Sequence, residues 1–585
     1  MKGFVLMDYL RTYERWLSSE AVDQNTKNEL LSIKNNDNEI KERFYKDLEF
    51  GTAGLRGIIG AGSNRMNIYT VRLATQGLAE DIKNCGEESI KKGVVIAYDS
   101  RHMSYEFAME SAKVLAANGI KAYVFDELRP TPELSFAVRH LGCARGIVIT
   151  ASHNPKEYNG YKAYGEDGGQ LPPKSSDYVI SIIAKTDIFN DVKVMSEEEA
   201  KSKGLIEIIG EEVDRVYLEN VHKQSVTTKA IADLGNDFSV IYSPFHGTGN
   251  KLVRRILAKI GVTNLRIVKE QELPDPDFST VKSPNPEEKA GFSYAIEMAK
   301  TEKADLIFAT DPDADRIGVI VTNENGEFIT LSGNQVGVLL SEFILRNKKL
   351  NGTLTNKGAI IKTIVTTSML YPIAKDYGIN VHDVLTGFKY IAELIKDFEE
   401  NNYYNEFLLG FEESYGYLSG TYARDKDAVV AAMLITEMTA DYKAKGMTLY
   451  DGLNALYEKY GYFMEKTQSF TFAGIDGSEK IKSIMNFFRE TPPTEFAGMK
   501  VCRMWDVKKG TIKDFEKGTE EKLNLPTSDV FRYDLENNAW FAVRPSGTEP
   551  KIKFYFGTKA DSIEEAEADL DAMLSFIQNL IDTIE

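Results

Sequence analysis

The sequence is poor in cysteine and histidine and has no long apolar run. Its three cysteines among 585 residues, Cys85, Cys143 and Cys502, are an odd number without a CxxC pair. That excludes a disulfide framework and a thiolate metal or redox site, and all three read as packing thiols. No run of about 18 or more apolar residues occurs, which excludes a transmembrane helix. The start, MKGFVLMDYLRTYERW, reaches Asp8 after too few apolar residues for a signal peptide, so a cytoplasmic location is expected. Basic residues are in deficit, 70 against 88 acidic, for a net charge of -18. Such a surface repels nucleic acid and anionic membranes, so neither is expected as a partner, and any anionic ligand needs a local basic cluster.

What is present is an ordinary globular composition, 43% hydrophobic and 27% charged. At roughly 150 residues per domain the length suggests about four domains. Runs rich in valine and isoleucine alternate with helical patterns, the grammar of α/β folds. Strands are expected at Val94–Tyr98, Ile147–Thr150, Val240–Tyr242, Ile267–Lys269, Leu306–Thr310, Ile317–Val321, Ile360–Val365 and Phe407–Gly410. The spacing predicts a helix over Tyr105–Asn118, capped by Ser104 and ended by Gly119. The last quarter differs, with strands at Ser469–Phe472, Trp540–Val543 and Ile552–Phe556 and a final helix opened by a capping box at Ser562–Glu565. Polar stretches place joints near residues 196–204, 322–326 and 458–461, giving expected domains 1–205, 206–322, 323–455 and 456–585. No short-period repeat is visible.

Three apolar strands run straight into polar loops: GIVIT into ASHNP, LIFAT into DPDADR, and FLLGF into EESYG. Open α/β sheets collect ligands at the carboxyl ends of their strands. In the first loop Ser152 sits among turn formers, as a capped turn or a phosphoryl carrier; there is no GxSxG elbow for a serine hydrolase, and a histidine next in sequence is poorly placed to be its base. Lys162 downstream is a surface lysine or a source of positive charge or a proton. In the second, Asp311, Asp313 and Asp315 crowd three anions together, which suits a hard cation such as Mg²⁺ better than a solvated acidic turn. A calcium EF-hand fails, because Arg316 and Thr322 stand where that loop needs glycine and glutamate. Glu412 and Ser414 in the third loop could meet sugar hydroxyls or form a polar turn. A fourth string, Arg544 to Lys551 (RPSGTEPK), offers glycine, hydroxyls and arginine to a phosphate, with a plain hairpin as the alternative. The turn Gly51–Gly57 carries Arg56 and lacks the GK[ST] ending of a Walker loop.

Taken together and in this order, TASHNP, DPDADR, GFEES and RPSGTEP resemble the α-D-phosphohexomutase family over nearly the whole chain. The stretches YKDLEFGTAGLRG, YDSRH, RPTPELSF, SPFHGTGN and TGFKYI are similar to those of its long bacterial phosphoglucomutases. The resemblance implies three similar α/β domains and a smaller C-terminal α+β domain around a central cleft. It implies a phosphorylated Ser152, with Ser152, Asp311, Asp313 and Asp315 as Mg²⁺ ligands, Glu412 and Ser414 at the sugar, and Arg544, Ser546, Gly547 and Thr548 at the remote phosphate. Arg56, His153, Lys162, Arg316 and Lys389 would line the transfer site, with Arg424 and Lys426 also facing the substrate. The implied reaction interconverts glucose 1-phosphate and glucose 6-phosphate through glucose 1,6-bisphosphate, which also serves as activator. Phosphopentomutase and phosphomannomutase activities are the alternatives within the family, and a non-catalytic sugar-phosphate or metal-binding protein the alternative outside it. The sugar loop departs from the pattern in running EESYGY without a histidine, Ala53 replaces a common serine, and Lys156 replaces a proline.

Overall fold

The computed structural model describes residues 2–51, 54–401, 405–472, 474–545 and 551–584, without the side chains of 2–8, 474–476 and 478. The chain divides into two compact units, Met1–Leu331 with Ala392–Glu400 and Tyr415–Ala444, and Ser332–Ile391 with Asn401–Ser414 and Lys445–Glu585.

The first unit holds two sheets. One consists of β1 (Gly54–Ile58), β2 (Val94–Tyr98), β3 (Ala122–Phe125), β4 (Arg145–Ile149), β5 (Tyr158–Tyr164) and β6 (Ile206–Ile209), ordered β1-β5-β4-β2-β3-β6. The other consists of β7 (Ser239–Ser243), β8 (Asn264–Ile267), β9 (Leu306–Thr310), β10 (Ile317–Thr322) and β11 (Phe328–Leu331), ordered β11-β10-β9-β7-β8. Strands β2, β4, β7 and β9 are buried along their whole length, as parallel strands covered on both faces must be. In the second unit β12 (Gly358–Thr363) pairs in parallel with β13 (Asn380–Val384) on one side and β14 (Glu406–Glu412) on the other.

The three sheets share one plan. The first parallel strand lies between the second and the third, giving β3-β2-β4, β8-β7-β9 and β13-β12-β14. In the first two, the chain leaves the third strand through a loop and returns as an antiparallel neighbour, β4 to β5 and β9 to β10. The loops ASHNP, DPDADR and EESYG thus occupy the same joint of a repeated unit, a periodicity absent from the residues themselves. A switch point, where successive strands are added to opposite sides of the first, opens a crevice at the strands' carboxyl ends.

Several expectations shift in detail. The first sheet runs past the expected junction at 205/206, because Ile206–Ile209 pairs with β3. The second runs past 322/323, because residues 323–327 form the turn into β11. The expected joint at 458–461 falls on the end of the helix Leu449–Tyr460. The strand expected at Ile267–Lys269 lies at Asn264–Ile267, after which the chain turns to bring buried Gln271 against Ser243. Ser104 does not cap its helix; it is the first helical residue, and its hydroxyl donates to Asp99 at 2.7 Å. At Ser562 the cap forms, but Glu565 accepts from the Asp561 amide, leaving half a capping box. Of the three thiols only Cys143 packs in a core, where burial pushes it up to about 12; Cys85 is exposed and Cys502 half-buried.

The C-terminal part of the second unit is an antiparallel sheet that includes Tyr462–Thr471, Lys551–Ala560, Trp540–Pro545, Phe531–Leu535 and Met499–Asp506. The helix Ile563–Thr583 buries Leu570, Met573, Ile577 and Ile581 in the core of this part. A second cluster joins Ile364, Val365 and Leu385 beside β12 and β13 to Val530, Trp540, Ala542 and Tyr555 of the antiparallel sheet. Arg532 lies against Trp540 and donates to the Ile364 carbonyl across that seam. Among the described residues no helix is long and apolar enough to cross a membrane.

Candidate active site

Ser152 opens the loop between β4 and β5 with a left-handed backbone, φ 53°. For a residue with a Cβ this costs on the order of 1–3 kcal/mol and persists only where the surroundings impose it. Here the Ser152 amide donates to Thr150 Oγ1 at 2.8 Å and the hydroxyl to Asp311 Oδ2 at 2.8 Å. His153 Nδ1 lies 3.2 Å from the same hydroxyl, closer than adjacency in sequence suggests. Burial, then Arg316 and Arg56, push His153 well below the usual imidazole range, so it stays neutral. Arg56, on β1, reaches Asn154 of the serine loop at 3.3 Å. Gly160 on β5 is required by crowding, since a Cβ there would lie 2.4 Å from the Thr150 carbonyl.

The loop after β9 winds on its own first carboxylate. Asp311 Oδ1 accepts the amides of Asp315 and Arg316, both at 3.0 Å, and Ala314 takes the left-handed conformation, φ 50°. Carboxylate oxygens of Asp311, Asp313 and Asp315 lie within 4.8 Å of one another and all three residues are buried. Asp311 is pushed well above the carboxylate range, by burial first and then by Asp313 and Asp315. Burial would also raise Asp313, but Lys162 outweighs it and holds this carboxyl below its usual range. Asp315 is lowered too, Lys426, Lys162 and Arg316 overcoming burial and Asp313.

Lys162, on β5, donates to Asp313 at 2.8 Å and lies 3.6 Å from Asp315. Burial disfavours its charge, yet these carboxylates raise its pKa, so it is an ammonium and not a loose surface lysine. Lys426 bridges Asp315 at 3.1 Å and Asp425 at 2.9 Å, and Tyr164 donates to the other oxygen of Asp425 at 2.7 Å. Gly416 leaves room for this lysine: a Cβ there would meet Lys426 Cδ at 2.1 Å. Arg316 pairs with Glu287 at 2.5 Å.

The other expected residues are held by other elements. Arg424 is 1% exposed, and its guanidinium bonds Glu399 and the carbonyls of Thr421 and Ala423, an arrangement that braces the loop carrying Lys426 instead of presenting a charge to ligand. In the second unit, buried Glu412 accepts the Gly387 amide at 2.9 Å, which fixes the turn before Lys389, whose ammonium lies over the Tyr390 ring. Ser414 is half-buried just beyond β14, and Arg544 is half-buried near the end of Trp540–Pro545. Ser546, Gly547 and Thr548 lie outside the described residues.

Residue-type reasoning missed the supports. Thr131 in RPTPELSF donates to Asp313 Oδ2 at 2.9 Å. Gly247 in SPFHGTGN lets the backbone after β7 touch the metal loop, since a Cβ would lie 2.6 Å from Pro312 Cα. Arg101 in YDSRH, after β2, donates to four carbonyls of the serine loop. Arg101 and Gly247 follow the central strands β2 and β7, and Thr131 opens the helix Thr131–His140 after β3, placements legible only with the strand order known.

The three carboxylates fit a divalent cation. Asp313 Oδ1 and Asp315 Oδ1 are buried without a hydrogen-bond partner, and such orphaned anionic oxygens are costly unless a cation meets them.

Family models for phosphoglucomutase/phosphomannomutase α/β/α domains I, II and III match residues 47–188, 215–326 and 332–460, and the model for the C-terminal domain matches 500–573. The chain is 39% identical over 534 residues to a phosphoglucomutase of Staphylococcus saprophyticus, covering 91% of this chain and 94% of that one. It is 36% identical over 531 residues to a phosphoglucomutase of Staphylococcus haemolyticus, with 91% and 94% covered. Its fold is similar to the crystal structure of a putative phosphomannomutase from Thermus thermophilus, with a TM-score of 0.67 at 22% identity over 92% of this chain and 99% of that one.

Proposed function

The chain belongs to the α-D-phosphohexomutase family, isomerases of four-domain α/β architecture that act on sugar phosphates. On that premise we propose that it is a phosphoglucomutase, interconverting glucose 1-phosphate and glucose 6-phosphate through a phosphorylated Ser152 and glucose 1,6-bisphosphate. The observation that carries the reading is the Ser152 hydroxyl, fixed 2.8 Å from Asp311 among three buried carboxylates.

Phosphoryl transfer is catalysed mainly by positioning and by neutralising charge. Asp311, Asp313, Asp315 and the Ser152 oxygen would hold Mg²⁺, which would supply Lewis-acid neutralisation of the phosphoryl oxygens. Three carboxylates at -3, a phosphoserine near -2 and a cation at +2 leave excess negative charge. Lys162 and Lys426, charged beside Asp313 and Asp315, and Arg56 and Arg316 near the serine loop offset it. In the dephosphorylated enzyme Asp311 Oδ2 accepts a hydrogen bond from the Ser152 hydroxyl. Neutral His153 adds an acceptor without adding charge. Glu412, Ser414 and Lys389 are assigned to the sugar, and Arg544, Ser546, Gly547 and Thr548 to the phosphate remote from the reaction.

The test is conversion of glucose 1-phosphate to glucose 6-phosphate with Mg²⁺ and a trace of glucose 1,6-bisphosphate, alongside mannose 1-phosphate and ribose 1-phosphate. Preference for the glucose ester, with intact mass showing one phosphate on Ser152, supports the reading. Preference for the mannose or pentose ester reassigns the substrate. No turnover of any ester and no phosphate on the protein leave a binding protein.

A further inference from the structure

The serine loop has no apolar core of its own. It is built of Ser152, His153, Asn154, Pro155 and Lys156, and its backbone carbonyls need donors where they turn inward. Four carbonyls between Ser152 and Tyr158 meet one side chain. Arg101 donates from Nη2 to the carbonyls of Ser152 and Asn154, each at 2.5 Å, and from Nη1 to those of Pro155 at 2.8 Å and Tyr158 at 3.1 Å. The arginine is 3% exposed. Asp99, two residues back at the end of β2, balances its charge: Oδ2 lies 3.2 Å from Arg101 Nε while Oδ1 accepts the Arg101 amide at 2.9 Å and the Ser104 hydroxyl. The guanidinium face is covered by Phe278, 5.0 Å away, a buried residue that itself takes the left-handed conformation, φ 46°. Asp275 holds that loop by accepting the amides of Asp277 and Ser279 at 2.9 Å.

We propose that Arg101, clamped between Asp99 and Phe278, is the positioning residue that keeps the Ser152 loop in its strained, transfer-ready form. The proposal rests on Ser152 being the phosphoryl carrier. One planar group with five donors replaces a loop core, and four bonds to carbonyls, that of Ser152 itself and three that follow it, leave its left-handed backbone little room to relax. The hydroxyl is then delivered to Asp311 without reorganisation. A lysine would fill much of the same space and keep the charge, but its three donors radiate from one point and cannot reproduce the fork.

Arg101→Lys and Phe278→Leu test the clamp. A misplacement of about 1 Å can cost on the order of 100-fold in rate. Arg101→Lys should therefore lose about 30- to 100-fold in kcat with KM changed less than about threefold, and Phe278→Leu about 5- to 10-fold in the same pattern. Phosphoserine should also be lost to water faster, relative to transfer, in both. Amide exchange of residues 151–158 should rise in both variants while the cores of β2 and β4 stay protected, a readout that needs no substrate. A folded Arg101→Lys with kcat within about threefold of the parent and unchanged exchange in 151–158 overturns the proposal. Should Arg101→Lys fail to fold, an unchanged Phe278→Leu overturns it equally. If the parent turns over no sugar phosphate, the premise about Ser152 fails on its own, and the exchange result still decides whether Arg101 holds the loop.

Discussion

The Ser152 hydroxyl and the Asp311 carboxylate, 159 residues apart in sequence, lie 2.8 Å apart. The bond joins the loop after β4 to the loop after β9, the same joint in two copies of one strand plan. It places the serine hydroxyl beside the acidic cluster that would hold the cation.

Ser152→Ala should remove the phosphate seen by intact mass and lower mutase turnover by about 10³-fold or more, since the hydroxyl that would carry the phosphoryl group is gone. Retention of turnover within about tenfold of the parent would sink the phosphoserine reading.

Removing divalent metal should abolish turnover, and returning Mg²⁺ should restore it. Binding to the folded state alone also stabilises it, by about 2.7 kcal/mol at a free concentration 100 times Kd. Calorimetry with and without Mg²⁺ should show the parent melting higher with the ion, and Asp313→Asn should lose most of that increment. An equal increment in the variant would place the ion elsewhere.

Gly247→Ala should disturb the metal loop from a distance, because its Cβ would lie 2.6 Å from Pro312 Cα and 2.7 Å from the Pro312 carbonyl. Backbone neighbours cannot swing aside as a side chain can, so a stability loss of about 1–3 kcal/mol is expected. Turnover should fall about tenfold or more as Asp311 and Asp313 shift. Thermal melts and Mg²⁺ titration of activity read the two effects, and a variant that matches the parent in both contradicts the close approach.

Glu437 is buried in the helix Ala428–Ala444, and burial pushes it up to about 7 although Ser225 and the amides of Val226 and Thr227 favour its ionised form. A carboxyl raised on folding binds its proton more tightly in the native state, so its contribution is full below its ordinary value of 4.5 and is lost as pH rises towards about 7. The shift corresponds to roughly 3 kcal/mol. Melting temperature should therefore fall more steeply between about pH 5 and 7 in the parent than in Glu437→Gln, whose amide does not titrate. Parallel slopes in the two proteins would show that this carboxyl does not titrate in that window.

Local chemistry made much of the protein legible in the residues alone. The buried runs of β2, β4, β7 and β9 announced parallel strands, because a strand covered on both faces must be apolar throughout. Asp311, Asp313 and Asp315 could be singled out as a candidate cation site, because three close carboxylates are costly without a counter-charge. Ser152 could be singled out as a candidate, but its bond to Asp311 could not, since the strand order that brings the two loops together depends on contacts between distant segments. The same holds for the repeated plan of the three sheets, which is a periodicity of topology and not of sequence. Arg101 and Gly247 show the limit most clearly. Nothing in YDSRH or SPFHGTGN distinguishes a buried guanidinium bonding four carbonyls, or a glycine pressed on a neighbouring loop, from a solvent-facing turn. Burial and close approach are properties of packing, and only the tertiary structure decided which side chains face the crevice, which brace it, and which, like Arg424, are committed to holding a loop.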